Sequence, residues 1–155
     1  MVKYFHFFQK SASFLPFRRS PCDQRRMNNP TEDAVLATIA AYLDAFNAGD
    51  IPAITRLMAF PLARVGISTA ELLDVYPGNP ANLKATKGWD RTEDAQYEVV
   101  MASTEKAHVI LRRAARVRAD GSLIETVSAF YALKHTDDGW KIFAISSVVV
   151  PACQT

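Results

Sequence analysis

The chain has 155 residues, of which 49% are hydrophobic and 22% charged. That length supports one hydrophobic core, and the composition excludes wholesale disorder and a collagen-like or coiled-coil fibre. The formal charge of +2 is unevenly spread: residues 1–26 carry six Lys and Arg against Asp23 alone, a net of +5, whereas residues 27–155 carry a net of −3. A slightly acidic domain without a dense Lys/Arg stripe gives no electrostatic footing for nucleic acid. No apolar run reaches the roughly 18 residues that a membrane span needs. Cys22 and Cys153 make neither a CxxC pair nor a zinc spacing, and phosphate-loop and Rossmann glycine patterns are missing. The expectation is therefore a cytoplasmic protein with no metal site, cofactor, nucleic-acid partner or membrane contact.

Residues 1–28 read as a basic, disordered leader. Gln9, Lys10, Arg18 and Arg19 interrupt any secretory apolar stretch, but an acid-poor, Arg-rich segment also fits an organellar presequence. The other reading is a flexible tail or translated upstream sequence, with the protein proper starting near Met27. A single domain is expected over residues 29–152.

That domain opens on a helix. Asn29 can cap it, Pro30 suits its first position, and Glu32 sits where a capping-box acid reaches back. Val35, Ile39, Tyr42, Leu43 and Phe46 then form one apolar stripe that Gly49 ends. Asp50 can cap a second, short helix whose buried side is Ile54, Leu57 and Met58, closed by Pro61. Ser68-Thr-Ala-Glu71 is a capping box that predicts a third helix ending at Pro77-Gly78. Asn79-Pro80 can start a further turn or two before Lys87-Gly88.

After Trp89 the apolar period shifts towards 2. Residues 96–102, 106–118, 122–135 and 140–150 read as strands, with Asp120-Gly121 and Asp138-Gly139 as two-residue hairpin turns. Helices first and antiparallel strands after make an α+β layout. Those turns set a register: Arg116 faces Glu125, Arg112 faces Ala129, His108 faces Leu133 and Tyr131 faces Ser146. One sheet face then gathers all eight of these residues. Both faces are too apolar for water, so one should meet the helices and the other a second copy of the chain.

The run Tyr42-Leu-Asp-Ala-Phe-Asn-Ala-Gly-Asp50, followed by Ile54 and Leu57, resembles the opening helices of the nuclear transport factor 2-like superfamily. Arg116-Val-Arg-Ala-Asp-Gly-Ser122, Tyr131-Ala-Leu-Lys and Asp138-Gly-Trp-Lys-Ile142 resemble its later strands. The resemblance implies a cone, with three or so N-terminal helices packed in the concavity of a curved, mostly antiparallel sheet around an apolar pocket, often dimeric through the outer sheet face. The superfamily includes ketosteroid isomerase, SnoaL-like cyclases, scytalone dehydratase, limonene epoxide hydrolase and non-catalytic binding modules, so it informs fold better than function. Against the isomerase, Tyr42 falls on the oxyanion-hole tyrosine, but the catalytic aspartate base falls on Gly66 and the second oxyanion donor near Ala129. Steroid-type proton transfer needs those groups, and it is not expected here.

The candidate ligand-binding residues are Tyr42, Tyr76, Trp89, His108, Arg112, Tyr131 and Ser146. Tyr42 can donate to a ligand oxygen or serve as a core tyrosine. His108 with Glu125 could form an acid/base pair, although a cross-strand Glu125–Arg116 ion pair is the simpler role. Arg112 could clamp a carboxylate or pair with a helix acid such as Asp74. Tyr131 and Ser146 offer neighbouring hydroxyls, and Tyr76 and Trp89 border the helix-to-sheet crossing. The leading expectation is a SnoaL-like homodimer that binds a small organic carbonyl or carboxylate compound, with cofactor-independent acid/base catalysis of the isomerase, cyclase or hydrolase type open. The alternative is a non-catalytic dimeric ligand-binding or association module.

Overall fold

Helix α1 (Pro30–Ala48) begins and ends on its caps. The Asn29 side chain accepts from the Thr31 N–H at 3.1 Å and donates to Glu32 at 3.2 Å. Gly49 closes the helix at φ +68°, a conformation that costs glycine little. Along the buried stripe Val35 and Ile39 are fully enclosed, each contributing about 1.5–3 kcal/mol of apolar burial. Helix α2 (Ile51–Arg56) follows at once, capped by Asp50, whose carboxylate accepts from the Ala53 N–H at 2.8 Å. The structure, a computed structural model, describes residues 29–152. The expected leader over 1–28, Cys22 and Cys153 lie outside them.

The next stretch corrects the sequence reading. Met58–Val65 is a strand, β1, and Ala70–Leu73 is a second, β2; they pair antiparallel with Leu62 opposite Leu73 and Arg64 opposite Glu71. The capping box at Ser68 caps nothing. A four-residue helix signal is weak beside a run that completes a sheet, because ladder pairing and burial of Met58 and Leu62 outweigh local propensity. The turn or two expected after Asn79 is helix α3 (Pro80–Lys87), capped by Asn79 and closed by Gly88 at φ +66°.

Four long strands finish the chain: β3 (Arg91–Ala102), β4 (Lys106–Val117), β5 (Leu123–Thr136) and β6 (Gly139–Pro151). The six-stranded sheet has the order β2-β1-β6-β5-β4-β3, with β1 and β6 parallel and every other pair antiparallel. Helix α1 packs on β3 and β6 across the inner face. Ile39, Ile54, Leu62, Leu133 and Ile142 meet there without exposure.

The β4–β5 loop spans residues 119–121, closed by the Arg118 N–H donating to Ser122, and Val117 faces Leu123; the expected register is met only over Arg116–Ala114 and slips on either side. Arg116 faces Glu125 and Ala114 faces Val127 as expected, but an irregularity between Leu111 and Ala114 pairs Leu111 with Ala129 and His108 with Ala132. A one-residue slip reverses the side-chain faces beyond it, so His108 and Arg112 leave the inner face. The β5–β6 turn lies on Asp137-Asp138, with Thr136 opposite Gly139. A second irregularity, between Ala132 and Leu133, sets Ile145 opposite Tyr131 and Ser146 opposite Phe130. Ser146 therefore also faces outward. Such bulges add the bend that curves a long sheet.

Candidate functional site

The inner face is not filled along its whole length. Towards the C-terminal half of α1 a cleft of about 730 Å³ opens between that helix, the β1–β2 region, α3 and the sheet. Tyr42 and Phe46 of α1, Tyr76 after β2, and Val127 and Tyr131 of β5 shape its wall. A recess of about 50 Å³ adjoins it, reached past Tyr42 and Tyr131 and lined in addition by Tyr97 and Leu111.

Helical spacing puts Tyr42 one turn beyond Ile39 on the buried stripe, which carries its phenol into the cleft. The Tyr42 hydroxyl lies 2.8 Å from the Tyr76 hydroxyl, and its ring meets Tyr131 edge-on at 5.9 Å. Burial pushes the Tyr42 and Tyr131 phenols well above their ordinary value, and pushes Tyr76 up to about 12 against the lowering effect of its hydrogen bond to Tyr42. Burial, with help from Asp44, takes Tyr97 to about 12 as well. All four remain protonated at neutral pH; within the Tyr42–Tyr76 pair one hydroxyl donates to the other, which leaves the accepting phenol's proton for a ligand oxygen.

Charge enters the cleft from three sides. Arg64 on β1, Lys87 at the end of α3 and Arg116 on β4 line it, whereas none of its described lining residues is Asp, Glu or His. Behind this lining sits Glu125, only 2% exposed. One of its oxygens accepts from Arg116 at 2.7 Å and the other from Lys87 at 2.5 Å. Burial would raise the Glu125 pKa, but the two hydrogen bonds and the cationic charges outweigh it and hold the carboxyl below its usual range. Glu125 is thus an anchored anion rather than a free base. Arg116 also stacks on Phe46, 5.9 Å from the ring centroid.

Of the residues singled out in the sequence, Tyr42, Tyr76 and Tyr131 come together in the cleft. Trp89 packs against Phe46 at 5.3 Å and donates from its indole N–H to Thr92 at 3.1 Å, within the core beside the cleft rather than on its wall. His108 lies edge-on to Phe130 on the outer face, 5.2 Å away. Arg112 binds Glu98 at 2.9 Å through Nε, not an acid from the helices, and it faces solvent. Ser146 lies on the outer face with them. Sequence reasoning missed Arg64, Lys87 and Tyr97 as lining residues and saw Arg116 only as a partner of Glu125. Tyr97 and Val99 do alternate in the expected strand, a signal that could have found Tyr97; Arg64 lies between the second expected helix, closed at Pro61, and the third, in a stretch read as neither helix nor strand.

Among the described residues no three His, Cys, Asp or Glu side chains converge as a metal-holding group. No helix among them is long and apolar enough to cross a membrane.

Residues 31–149 match the family described as "NTF2-like protein (DUF6841)". The chain belongs to the NTF2-like family. Solved structures agree in fold. An NTF2-like protein of unknown function from Shewanella oneidensis is 18% identical with a TM-score of 0.57, the match covering 75% of this chain and 97% of that one. A domain of unknown function with a cystatin-like fold from Nostoc punctiforme is 14% identical with a TM-score of 0.58, covering 83% and 81%. A structure from Novosphingobium aromaticivorans named as a candidate aromatic ring hydroxylase is 16% identical with a TM-score of 0.53, covering 79% and 94%. At these identities the likeness is one of fold. No curated protein matches this NTF2-like chain significantly.

Proposed function

We propose that this NTF2-like domain binds a small, largely apolar organic molecule in its open cleft and orients it through an oxygen that accepts from the phenols. The observation that carries this reading is the meeting of Tyr42, Tyr76 and Tyr131 in a cleft of about 730 Å³, a size that suits a compact organic ligand. Phenols held protonated by burial suit a carbonyl, carboxylate or developing oxyanion. Among the described lining residues a free carboxylate or imidazole base is missing, so binding and oxyanion stabilisation are favoured over base-driven isomerase, cyclase or hydrolase chemistry. The name of the Novosphingobium structure is compatible with an aromatic ligand.

Calorimetric titration with neutral 2-naphthol tests the reading. Saturable one-to-one binding that Ile145→Trp abolishes, by filling the cleft from β6, is expected. Absence of binding at millimolar 2-naphthol, or binding unchanged by Ile145→Trp, would overturn it.

Self-association through the outer sheet face is part of the same proposal. It is supported by Phe130, 38% exposed on that face, where an apolar ring gains from a second copy. Light scattering at micromolar concentration should give a dimer that Phe130→Lys dissociates. A cytoplasmic setting is retained from the cysteine spacing.

A further inference from the structure

The cleft combines apolar walls with an unbalanced charge. Arg64 has its own acid: it faces Glu71 across the β1–β2 pair and donates to it at 2.8 Å. Arg116 and Lys87 have one acid between them, Glu125. The Lys87–Glu125–Arg116 group therefore holds one positive charge more than it holds negative, and none of the described lining residues carries a carboxylate that could neutralise it. Arg116 also keeps unused donors. Its NH1 is bonded to Glu125, while its Nε, like that of Arg64, is buried without a hydrogen-bond partner. A buried unpaired donor is costly unless something accepts from it.

We propose that the open end of the cone is a site for an organic monocarboxylate, with the carboxylate accepting from Arg116 and the apolar body lying between Phe46 and Tyr131. This rests on the cleft being the ligand site. Glu125 acts as a positioning residue: tied to both cations, it fixes the guanidinium against the cleft and reduces the local charge to one. A planar carboxylate matches the parallel N–H edge of a guanidinium. A phosphate dianion would exceed the single unbalanced charge of the ion group.

The test is calorimetric titration of the full chain with 2-naphthoate, 2-naphthamide and 2-naphthyl phosphate. The first two share shape and differ in charge. Naphthoate should bind at least about tenfold more tightly than naphthamide, the increment of one charge-assisted hydrogen bond, and more tightly than naphthyl phosphate. Lys87→Gln leaves Arg116 fully neutralised by Glu125 and should reduce the preference severalfold; Lys87 is half-exposed at a helix end, so the fold tolerates the change. In the triple variant Lys87→Gln, Arg116→Met and Glu125→Leu, which replaces the whole ion group by neutral side chains, the preference should vanish while naphthamide still binds. Arg64→Gln should alter it by less than about threefold, since Arg64 is already paired. Equal affinity for naphthoate and naphthamide overturns the carboxylate site and leaves the cleft reading standing; failure of both to bind overturns the two together. Tighter binding of naphthyl phosphate, or a preference unmoved by Lys87→Gln, also contradicts the proposal.

Discussion

The two ends of α1 meet the same sheet on different terms. At its N-terminal half Val35 and Ile39 join Ile54, Leu133 and Ile142 in a core without exposure. At its C-terminal half the same stripe continues as Tyr42 and Phe46, and β5 changes in parallel from Leu133 through Tyr131 and Val127 to Glu125. Helical and strand periodicity keep these residues on one face throughout. What changes is side-chain chemistry: aliphatic groups fill one end, while aromatic rims and a three-residue ion group hold the other end open. The closed end stabilises the fold by packing, and the open end keeps polar groups that packing alone does not require.

Substitutions separate the two ends, beginning with the largest effect. Ile142→Ala at the closed end should lower unfolding stability by about 4 kcal/mol, because it leaves a cavity that rigid neighbours do not fill; denaturant melts measure it. Glu125→Gln should lower stability by about 3 kcal/mol, since Arg116 loses its buried partner. This second loss depends on pH. Because the folded-state pKa of Glu125 is depressed, its contribution is complete above the ordinary carboxylate pKa and is lost as pH falls through the folded value. Wild type and Glu125→Gln should therefore converge in acid, whereas the Ile142→Ala deficit persists.

A smaller effect is expected at the phenols. Tyr42→Phe removes the 2.8 Å hydrogen bond to Tyr76 and should cost about 1 kcal/mol. Ultraviolet titration gives a matching signature: the Tyr76 and Tyr97 phenolates should form only near pH 12. Because those pKa values are raised on folding, the associated stability is present below the ordinary phenol pKa and declines as pH rises through the folded values. The smallest change belongs to Arg112→Ala. Its pair with Glu98 is half-exposed and lies outside the cleft, so stability should move by no more than about 1 kcal/mol and ligand affinity should not change. A large affinity loss would return Arg112 to the site and break the division between inner and outer faces.

The sequence made the caps of α1, α2 and α3 legible because Asn29, Asp50, Asn79, Gly49 and Gly88 act locally. It also exposed the four long strands through their alternation. It did not reveal β1, which depends on pairing with the distant β6, nor β2, which pairs with β1. The candidate site divided along the same line. Tyr42 followed from helical spacing and Tyr131 from a β5 face that no bulge disturbs. Counting from a turn places His108, Arg112 and Ser146 on one face with Tyr131, and a one-residue irregularity reverses that count. The Arg116–Glu125 pair matches the count because it lies in the short stretch between two irregularities, one at Arg116/Val117 and one at Leu111/Ala114. Its importance to the cleft became visible only when α3 brought Lys87 to the same carboxylate.

The most direct measurement is a crystal structure of the protein with 2-naphthoate. The predicted result is a single naphthoate in the open end, its carboxylate within hydrogen-bonding distance of Arg116 and its rings between Phe46 and Tyr131, with Glu125 still bonded to both cations. Naphthoate on the outer sheet face, or in the cleft with its carboxylate turned away from Arg116, would contradict the account.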